Sequence, residues 1–227
     1  MLTRPLSSEP TRFENRLHFR FPARHEVLSW AIVGGGRRQA SAVVWYQVKA
    51  GELRPPVEPK EFLEERLRQD EISDAVGLLT SRKIDAFVDC ERRNGEHWVR
   101  CVATVGLSNA LRAGDPPGDR GKIGTINLLC QISHPLTEEA FLETMAVAVE
   151  ARTAAILNAG VPSSVTGELA SGTGTDCVVI AAPISGVREK YIGKHTVLGH
   201  LIGAAVMEAV GRGADDWKCE RERERES

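Results

Sequence analysis

The sequence SGTGTDCVVIAA, residues 171–182, joins a loop of small residues to an apolar segment. Gly172 and Gly174 have no Cβ atom, so the backbone there can take a positive φ and can approach a ligand closely. Thr173, Thr175 and Asp176 place two hydroxyl groups and one carboxylate where the loop enters the apolar segment. A Gly-Thr turn before a buried strand is also a common tight connection, so the stretch predicts a strand first and a binding site second.

A second loop in the chain is similar to this one. Residues 124–127 (GTIN) run into the apolar segment 128–130, just as residues 174–177 (GTDC) run into 178–180. A long helical pattern follows each loop, which predicts two strand-helix units. Two such units could bring both polar loops to one cleft, and the alternative is a chance similarity between two short segments.

The helix signals after both loops are specific. Thr137 is a predicted N-cap with acidic residues in the first turn, and its helix is predicted to end at Gly160. Thr196 is predicted to cap a second helix that runs through Val210. From Asp215 onward, charged residues of alternating sign dominate, which predicts a solvated tail that is disordered or frayed.

The first half of the chain contains strand patterns. Residues 16–21 alternate between polar and apolar side chains, and residues 27–33 and 41–48 are predicted to form two further strands. Three glycines at 34–36, followed by two arginines, indicate either a phosphate-accepting turn or a hairpin turn between those strands. A charged surface helix is predicted over residues 60–70.

A β-hairpin is predicted in the middle of the chain. Residues 84–91 alternate, and residues 96–105 are predicted to return as the partner strand. Asn94-Gly95 between them is a strong signal for a two-residue hairpin loop. With that loop, Cys90 is expected to face Val99.

Together these patterns predict a single-domain α+β fold. Mostly antiparallel N-terminal strands precede two strand-helix units, and the helices pack on a mixed sheet. The predicted domain spans residues 14–213, between a loose N-terminal segment (1–13) and a charged solvated tail (214–227). Within it, residues 106–118 are a long loop rich in Gly, Pro and polar residues; such loops are often functional, and the alternative is a surface excursion.

Composition excludes several classes of protein. The 227 residues carry a net charge of −2 and only 5% aromatic residues, which argues against nucleic-acid binding. Five cysteines without a Cys-x-x-Cys pattern indicate free thiols in a reducing compartment. We see no apolar signal segment near the N-terminus and no apolar run long enough to span a membrane, so we expect a cytoplasmic protein.

Six short motifs occur in the order and spacing of a known family. They are Leu28-Ser29 with Gly34–Gly36, Gly106–Ala110 with Ala113–Asp115, Gly124–Asn127, Glu150–Thr153, Gly172–Asp176, and Gly193–Thr196 with Leu198-Gly199. Through these motifs the chain resembles the adenosylcobinamide amidohydrolases (CbiZ) over about residues 15–212. It departs from the family pattern where Glu150-Ala151-Arg152 stands in place of Glu-Ala-Lys, a change that preserves charge.

The resemblance implies an enzyme of corrinoid (vitamin B12) salvage. Such enzymes hydrolyse the amide that joins an aminopropanol arm to the corrin ring of adenosylcobinamide, and they release adenosylcobyric acid and 1-amino-2-propanol. The implied partner is this corrinoid, whose cobalt belongs to the substrate, and no further cofactor is certain. No nucleic-acid partner or membrane span is expected, and a homo-oligomer is compatible with the sequence.

Amide hydrolysis requires an activated water or nucleophile, a proton donor for the leaving amine, and donors to the developing oxyanion. We interpret His195, just before a helix, as the general base, and Asp176 as its orienting partner or as the base itself. Backbone N–H groups of the two Gly-Thr loops could bind the oxyanion. The predicted substrate-binding residues are Ser29, Gly35, Gly36, Asn109, Asp115, Thr125, Asn127, Glu150, Thr173, Gly174 and Thr175.

The residues leave alternatives open. Ser29, Ser108, Thr173 or Thr175 could act as a covalent nucleophile, although no Gly-x-Ser-x-Gly elbow is present. A protein-bound metal is not predicted, since no His-x-x-x-His or Cys/His cluster occurs. The alternative functions are a non-catalytic corrinoid-binding protein and a nucleotide-dependent enzyme that binds phosphate with the Gly/Thr loops. No Gly-x-x-x-x-Gly-Lys-Ser/Thr motif supports the latter.

Overall fold

The structure is a computed structural model that describes residues 9–49, 51–118 and 124–226. Within these residues, three helices pack on a mixed sheet of eight strands, so the predicted α+β fold is confirmed. The helices are α1 (Pro59–Gln69), α2 (Glu138–Ala159) and α3 (Val197–Glu226). The strands are β1 (Thr11–Arg12), β2 (Arg16–Ser29), β3 (Gly36–Gln47), β4 (Ala75–Thr80), β5 (Val88–Asn94), β6 (His97–Val105), β7 (Ala110–Leu111), β8 (Ile126–Ile132), β9 (Gly172–Thr173) and β10 (Cys177–Pro183).

The large sheet has the strand order β4-β3-β2-β10-β8-β6-β5, and β1 pairs with β2. The pairs β3–β4 and β8–β10 are parallel, and the others are antiparallel. Each parallel pair is joined through a helix, α1 for the first pair and α2 for the second, as parallel strands require. β8–α2 and β10–α3 are the two predicted strand-helix units.

The sheet has two apolar faces, and it is curved. On β10, Val178 and Ile180 face the core beneath α2 and α3, whereas Val179 faces a second core on the inner side of the sheet. Asn127 Nδ2 on β8 donates to Leu79 O on β4 over 2.6 Å, although three strands separate β8 from β4 in the sheet order. The sheet therefore curls until its β4 edge approaches β8, and this curvature creates the cleft described below.

The expected strands 16–21 and 27–33 are one bent strand, β2. Its pairing with β3 shifts register between Arg20 and His25. Pro22, which has no N–H to donate, lies in that interval and locally interrupts the ladder without ending the strand. The glycines at 34–36 form the hairpin turn between β2 and β3, so the hairpin interpretation of this segment is confirmed.

Strand β4 was not predicted. Its sequence, Ala-Val-Gly-Leu-Leu-Thr, is almost entirely apolar and has no alternation, because its inner face lies in the core and its other face lies under α1. Strands of parallel pairs that are covered on both sides commonly have such continuous apolar runs. The long loop 106–118 also contains a strand, β7, which pairs with β9 beside the Gly-Thr loop.

The β5–β6 hairpin forms with a different register from the one predicted. Residues 84–86 form a 3₁₀ turn, and β5 begins only at Val88. Asn94 pairs with His97, so the two loop residues are Gly95 and Glu96. This shift of one residue places Cys90 opposite Cys101, and the expectation that it faces Val99 was wrong.

The helix boundaries follow the predicted signals, except at the C-terminal end. Thr137 caps α2 by accepting a hydrogen bond from Ala140 N, and Gly160 ends the helix with φ 71°. α3 begins after Thr196 but continues past Val210 to Glu226, so the expected disordered or frayed tail is helical. No helix among the described residues combines the length and hydropathy needed to cross a bilayer. Of the expected loose segment 1–13, residues 1–8 lie outside the described residues and the remainder contains β1.

Candidate active site

The two Gly-Thr loops lie side by side at the N-terminal ends of β8 and β10. The parallel register pairs Asn127 with Cys177. Thr125 Oγ1 donates to the main-chain oxygen of Thr175 over 2.8 Å, and Thr175 Oγ1 donates to Gly124 O over 3.2 Å. The predicted meeting of the two polar loops is therefore observed.

Asp176 is the centre of the polar contacts in these loops. Its Oδ2 accepts from Arg152 Nη1 over 2.7 Å and from Thr173 N over 3.0 Å. Its Oδ1 accepts from Ile126 N over 3.1 Å and from the hydroxyl of Thr173. One carboxylate thus joins the two loops to helix α2.

The Asp176–Arg152 pair is almost completely buried, since the side chains are 7% and 12% exposed. Burial raises the pKa of Asp176, because it disfavours the charged carboxylate, while Arg152 and the hydrogen bonds from Thr173 and Ile126 oppose that rise. Arg152 Nε is buried and has no hydrogen-bond partner among the described residues.

The glycines of the loops are required by packing within the protein. A Cβ atom on Gly172 would lie 2.3 Å from Asp176 Oδ2, and one on Gly174 would lie 2.7 Å from Asn109 Nδ2. A Cβ on Gly124 would lie 2.6 Å from Asn109 N. The space beside these glycines is filled by the chain itself, and Asn109 is thereby held against both loops.

Two cavities meet at these loops. An apolar compartment of about 320 Å³ opens on one side, and a polar compartment of about 510 Å³ opens on the other. Trp30, Thr175 and Asp176 line both, so they form the partition between them. The apolar compartment is lined mainly by Trp30, Ile32, Val48, Leu53, Leu78, Leu79, Thr125, Asn127 and Cys177, and the polar one by Leu111, Arg112, Arg152 and residues 171–176.

Trp30 is the most exposed large hydrophobic side chain in the cleft. Its ring is 49% exposed, yet its indole N–H is fixed by a 2.6 Å hydrogen bond to Asp176 O. An apolar ring held in one orientation and open to solvent is suited to stack against a flat ligand. Neither Trp30 nor Arg152 was predicted as a site residue, because the strand end that carries Trp30 and the helix that carries Arg152 meet the loops only through the tertiary fold.

His195 lies away from Asp176. A Cβ on Gly193 would lie 3.0 Å from His195 Cε1 and 3.2 Å from Glu143 Oε1, which places the imidazole near position 143 of α2. Asp176 instead contacts Arg152, and the distance from position 143 to position 152 along a helix is about 13 Å. Among the described residues, no hydrogen bond to His195 is found. His195 and Asp176, the two predicted catalytic residues, therefore do not form a hydrogen-bonded pair.

The remaining predicted site residues divide into two groups. Thr125, Asn127, Thr173, Gly174 and Thr175 line the cleft, and Asn109 packs against Gly174. Outside it, Asp115 accepts hydrogen bonds from Ser163 and Thr166, and the buried hydroxyl of Ser29 accepts from Ala31 N. Gly35 lies in the β2–β3 turn, Gly36 begins β3 opposite Ser29, and Glu150 pairs with Lys194 on the surface of α2.

Comparison with known proteins identifies a family that matches nearly the whole chain. The model of the adenosylcobinamide amidohydrolase family matches residues 4–222. The chain belongs to this family.

Two relatives in this amidohydrolase family carry the same name. The adenosylcobinamide amidohydrolase of Methanosarcina mazei is 29% identical over 81% of this chain and 87% of its own length. That of Halobacterium salinarum is 36% identical over 52% of this chain and 50% of its own. An uncharacterised protein of Methanocaldococcus jannaschii is 30% identical over 60% and 61%. The crystal structure of the PH0078 protein from Pyrococcus horikoshii OT3 matches 89% of this chain and 76% of its own chain at 12% identity, with a TM-score of 0.45.

Proposed function

We propose that the protein hydrolyses adenosylcobinamide to adenosylcobyric acid and 1-amino-2-propanol, as a cytoplasmic enzyme of corrinoid salvage. The observation that carries the proposal is the two-compartment cleft around Asp176, in a chain that matches the amidohydrolase family model over residues 4–222. The cleft combines an exposed aromatic ring with hydroxyl, amide and guanidinium groups.

The compartments suit a wide, flat substrate that carries amide side chains. The exposed faces of Trp30 and Ile32 offer apolar contact to a ring face. Asn127 and Thr175, which line the cleft, can bind amide groups at its edge. We assign the substrate's ring to the apolar compartment and its reacting arm to the polar one.

The chemistry that we propose centres on Thr173 and Asp176. The Thr173 hydroxyl lines the polar compartment and donates to the Asp176 carboxylate, which is the contact expected between a hydroxyl nucleophile and its base. In this proposal the hydroxyl oxygen attacks the amide carbonyl and its proton passes to Asp176, which then gives that proton to the leaving amine as the C–N bond breaks. Water then hydrolyses the resulting ester. The carboxylate's four hydrogen bonds fix its direction toward Thr173.

A water-activated mechanism with His195 as the base is the competing proposal. It requires His195 to reach the reacting amide, and the ring lies beside Glu143 and Gly193 instead. The two mechanisms differ in whether the protein carries the corrinoid acid covalently during turnover. Mass spectrometry of acid-quenched enzyme separates them, because only the first mechanism leaves an adduct on the peptide that contains Thr173.

The test of the function is incubation of the purified protein with adenosylcobinamide, followed by mass spectrometry. We expect release of 1-amino-2-propanol in equal amount to adenosylcobyric acid. The Thr173→Ala variant is the control for a contaminating activity. Binding of cobinamide without any product would instead identify a corrinoid-binding protein, and the hydrolysis proposal would be abandoned.

The nucleotide-dependent alternative receives no support from the loops. A phosphate-binding loop presents open backbone N–H groups to its ligand. Here the N–H groups of Thr173 and Ile126 already donate to Asp176. The two arginines after the glycine turn are also paired, Arg37 with Glu26 and Arg38 with Asp74.

A further inference from the structure

A second group of polar side chains lies at the opposite end of the sheet. Glu96, His97 and His134, which we call the histidine cluster, each offer one ligand atom, and these atoms lie within 4.8 Å of one another. Glu96 is in the β5–β6 turn, His97 begins β6, and His134 follows β8. The cluster and the cleft are separated by the seven residues of β8, or about 20 Å.

The backbone around the cluster is fixed by hydrogen bonds between segments that are distant in sequence. Ser133 N donates to Trp98 O over 3.0 Å, and Trp98 N donates to Ser133 Oγ over 3.0 Å. Glu189, in the segment after β10, is held to the same region, since its N–H donates to Pro135 O over 2.8 Å. Three segments of chain thus meet here in a defined arrangement.

The two imidazole rings are oriented by their neighbours. They stack with their centroids 4.5 Å apart and their planes at 19°. His134 Nδ1 lies 2.7 Å from Ser133 Oγ, which leaves Nε2 as the ring nitrogen available to a ligand. His97 Nε2 lies 3.8 Å from Glu189 Oε1, so a second carboxylate borders the cluster.

We propose that the histidine cluster binds Zn²⁺ through His97, His134 and Glu96, with Glu189 as the fourth ligand. Zn²⁺ prefers four nitrogen and oxygen ligands in a tetrahedron with bonds of about 2.0–2.2 Å, which places the ligand atoms about 3.3 Å apart. The ligand atoms of Glu96, His97 and His134 lie up to 4.8 Å apart, so Zn²⁺ binding requires them to approach one another by at most about 1.5 Å. A metal ion lies in the plane of each imidazole that binds it, so on binding the ring of His97 has to turn out of its stack with His134, while His134 keeps its contact with Ser133. In this proposal, side-chain rotation of His97, which is half-buried, and of Glu96, which is exposed, supplies the remaining movement.

Ser133 completes the arrangement as a positioning residue. Histidine ligands of metals commonly donate their other ring N–H to an oxygen, which fixes the tautomer and the ring orientation. The Ser133 hydroxyl lies where it can accept from His134 Nδ1–H, which directs the Nε2 lone pair to the cation. A bound Zn²⁺ would link the β5–β6 turn, the β8–α2 connection and the segment of Glu189, and this role is independent of the proposed hydrolysis.

The test is isothermal titration of the full chain, without an affinity tag and after removal of metals by a chelator, with Zn²⁺. We expect one equivalent to bind, and Mg²⁺, which prefers six oxygen ligands, to give no binding at the same concentration. Loss of a supporting residue commonly weakens metal binding by about 10–100-fold, so Ser133→Ala should fall in that range. Loss of a direct ligand in His97→Ala, His134→Ala or Glu96→Gln should weaken it by about 100-fold or more.

His200→Ala is the matched control, because His200 is an exposed histidine of α3 outside the cluster. This variant should bind Zn²⁺ as the wild type does. A second readout is the melting temperature, which should rise with Zn²⁺ in the wild type and in His200→Ala but not in the cluster variants. Absence of stoichiometric binding by the wild type, or unchanged Zn²⁺ affinity in both cluster histidine variants, would overturn the proposal. Glu96→Gln keeps the test valid if a histidine variant fails to fold, since Glu96 is exposed in the turn.

Discussion

The charge of the buried Asp176 carboxylate is balanced by the hydrogen-bond donors around it. A buried carboxylate is costly unless its charge and lone pairs are satisfied, and here one guanidinium and three further donors satisfy them. The same contacts require glycine at position 172, because the carboxylate occupies the space of a Cβ atom there. The spacing of Gly172 and Asp176 is therefore a packing requirement as well as a feature of the site.

At this scale we predict opposite effects for two Gly→Ala changes. Gly172→Ala should lower the free energy of unfolding by about 1–3 kcal/mol, because the new methyl group meets Asp176 Oδ2 at 2.3 Å. Gly203→Ala, in α3 with no atom within 4 Å of the added Cβ, should raise it by about 0.5–1 kcal/mol. Urea denaturation of both variants measures the difference. Equal stabilities would show that the loop shifts to accept the methyl group.

His25 leads to a prediction about pH. Burial lowers the pKa of this imidazole below its ordinary value of about 6.5, since its ring lies within the core against Phe21 and Gln131. The unfolded chain therefore binds a proton that the folded chain does not, and stability should fall as the pH drops through about 6.5.

Melting temperatures measured between about pH 8 and about pH 5 check this dependence. The acid-side slope should become shallower in His25→Gln, in which the group no longer titrates. The slope should stay unchanged in His200→Gln, because His200 is exposed. A wild-type slope retained in His25→Gln would assign the acid sensitivity to other groups, among which His18 also has a pKa lowered by burial.

Among the helices and strands, the C-terminal end of α3 differs most from the structure that the sequence predicted. Its last turns contain almost only charged residues, which as a sequence have no face to bury. They are nevertheless held to the body of the protein, because Glu220 Oε1 accepts from Arg82 Nη2 over 2.8 Å. The side chain of Arg82 is only 6% exposed, so Glu220 neutralises a buried charge.

We predict that truncation of α3 is tolerated only beyond Glu220. Removal of residues 221–227 should leave the melting temperature unchanged, because the segment is exposed where it is described. Removal of residues 216–227 should lower stability by about 1–3 kcal/mol, since it leaves the Arg82 guanidinium buried without its partner. If both truncations melt as the full chain does, the pair contributes nothing to stability.

Three cysteines stand in one row across neighbouring strands. The registers place Cys90 opposite Cys101 and Cys101 opposite Cys130. All five cysteines are free thiols, and only Cys219 is exposed. Burial raises the pKa of Cys130 and of Cys177 to about 12, and it raises that of Cys101 well above its ordinary value.

Alkylation should therefore distinguish the folded from the unfolded protein. The thiolate is the reactive form, so the folded protein should be labelled at Cys219 alone, and the unfolded protein at all five cysteines. Mass spectrometry under non-reducing conditions counts the labels. A mass that lacks two labels after unfolding would reveal a disulfide and contradict the structure.

The curvature of the sheet and the path of α2 determine which of the predicted site residues lie close together. The curl brings β4 to the loops of β8 and β10, so Leu79 and Asn127 share one cavity wall. The length of α2 keeps His195 and Asp176 apart, because each side chain lies near a different part of that helix.

This separation predicts different kinetic results for two variants. Thr173→Ala should lower kcat with adenosylcobinamide by about 10²-fold or more, and Thr173→Ser should retain most of the activity, because serine keeps the hydroxyl next to Asp176. His195→Gln should change kcat far less than the 10²–10⁴-fold typical of general acid–base groups. A large loss in His195→Gln at an unchanged melting temperature would instead favour the water-activated mechanism.

Sequence patterns alone predicted the α+β class and the helix caps at Thr137 and Gly160, and they carried the resemblance to the amidohydrolase family. These features depend on residues that are close in the chain, where backbone preference and hydrophobic period act directly. The similarity of the two Gly-Thr loops also predicted their meeting, because parallel neighbouring strands place equivalent loops at one edge.

The other features follow from contacts that form only in the folded protein. Strand β4 has no alternation because both of its faces are buried, and the register of the β5–β6 hairpin depended on a shift of one residue. Trp30 and Arg152 lie in the cleft because they contact Asp176, which is far from both of them in the chain. His195 lies apart from Asp176 because it packs near Glu143 of α2. Such contacts depend on how a curved sheet and a long helix pack together, and no local pattern in the sequence encodes that packing.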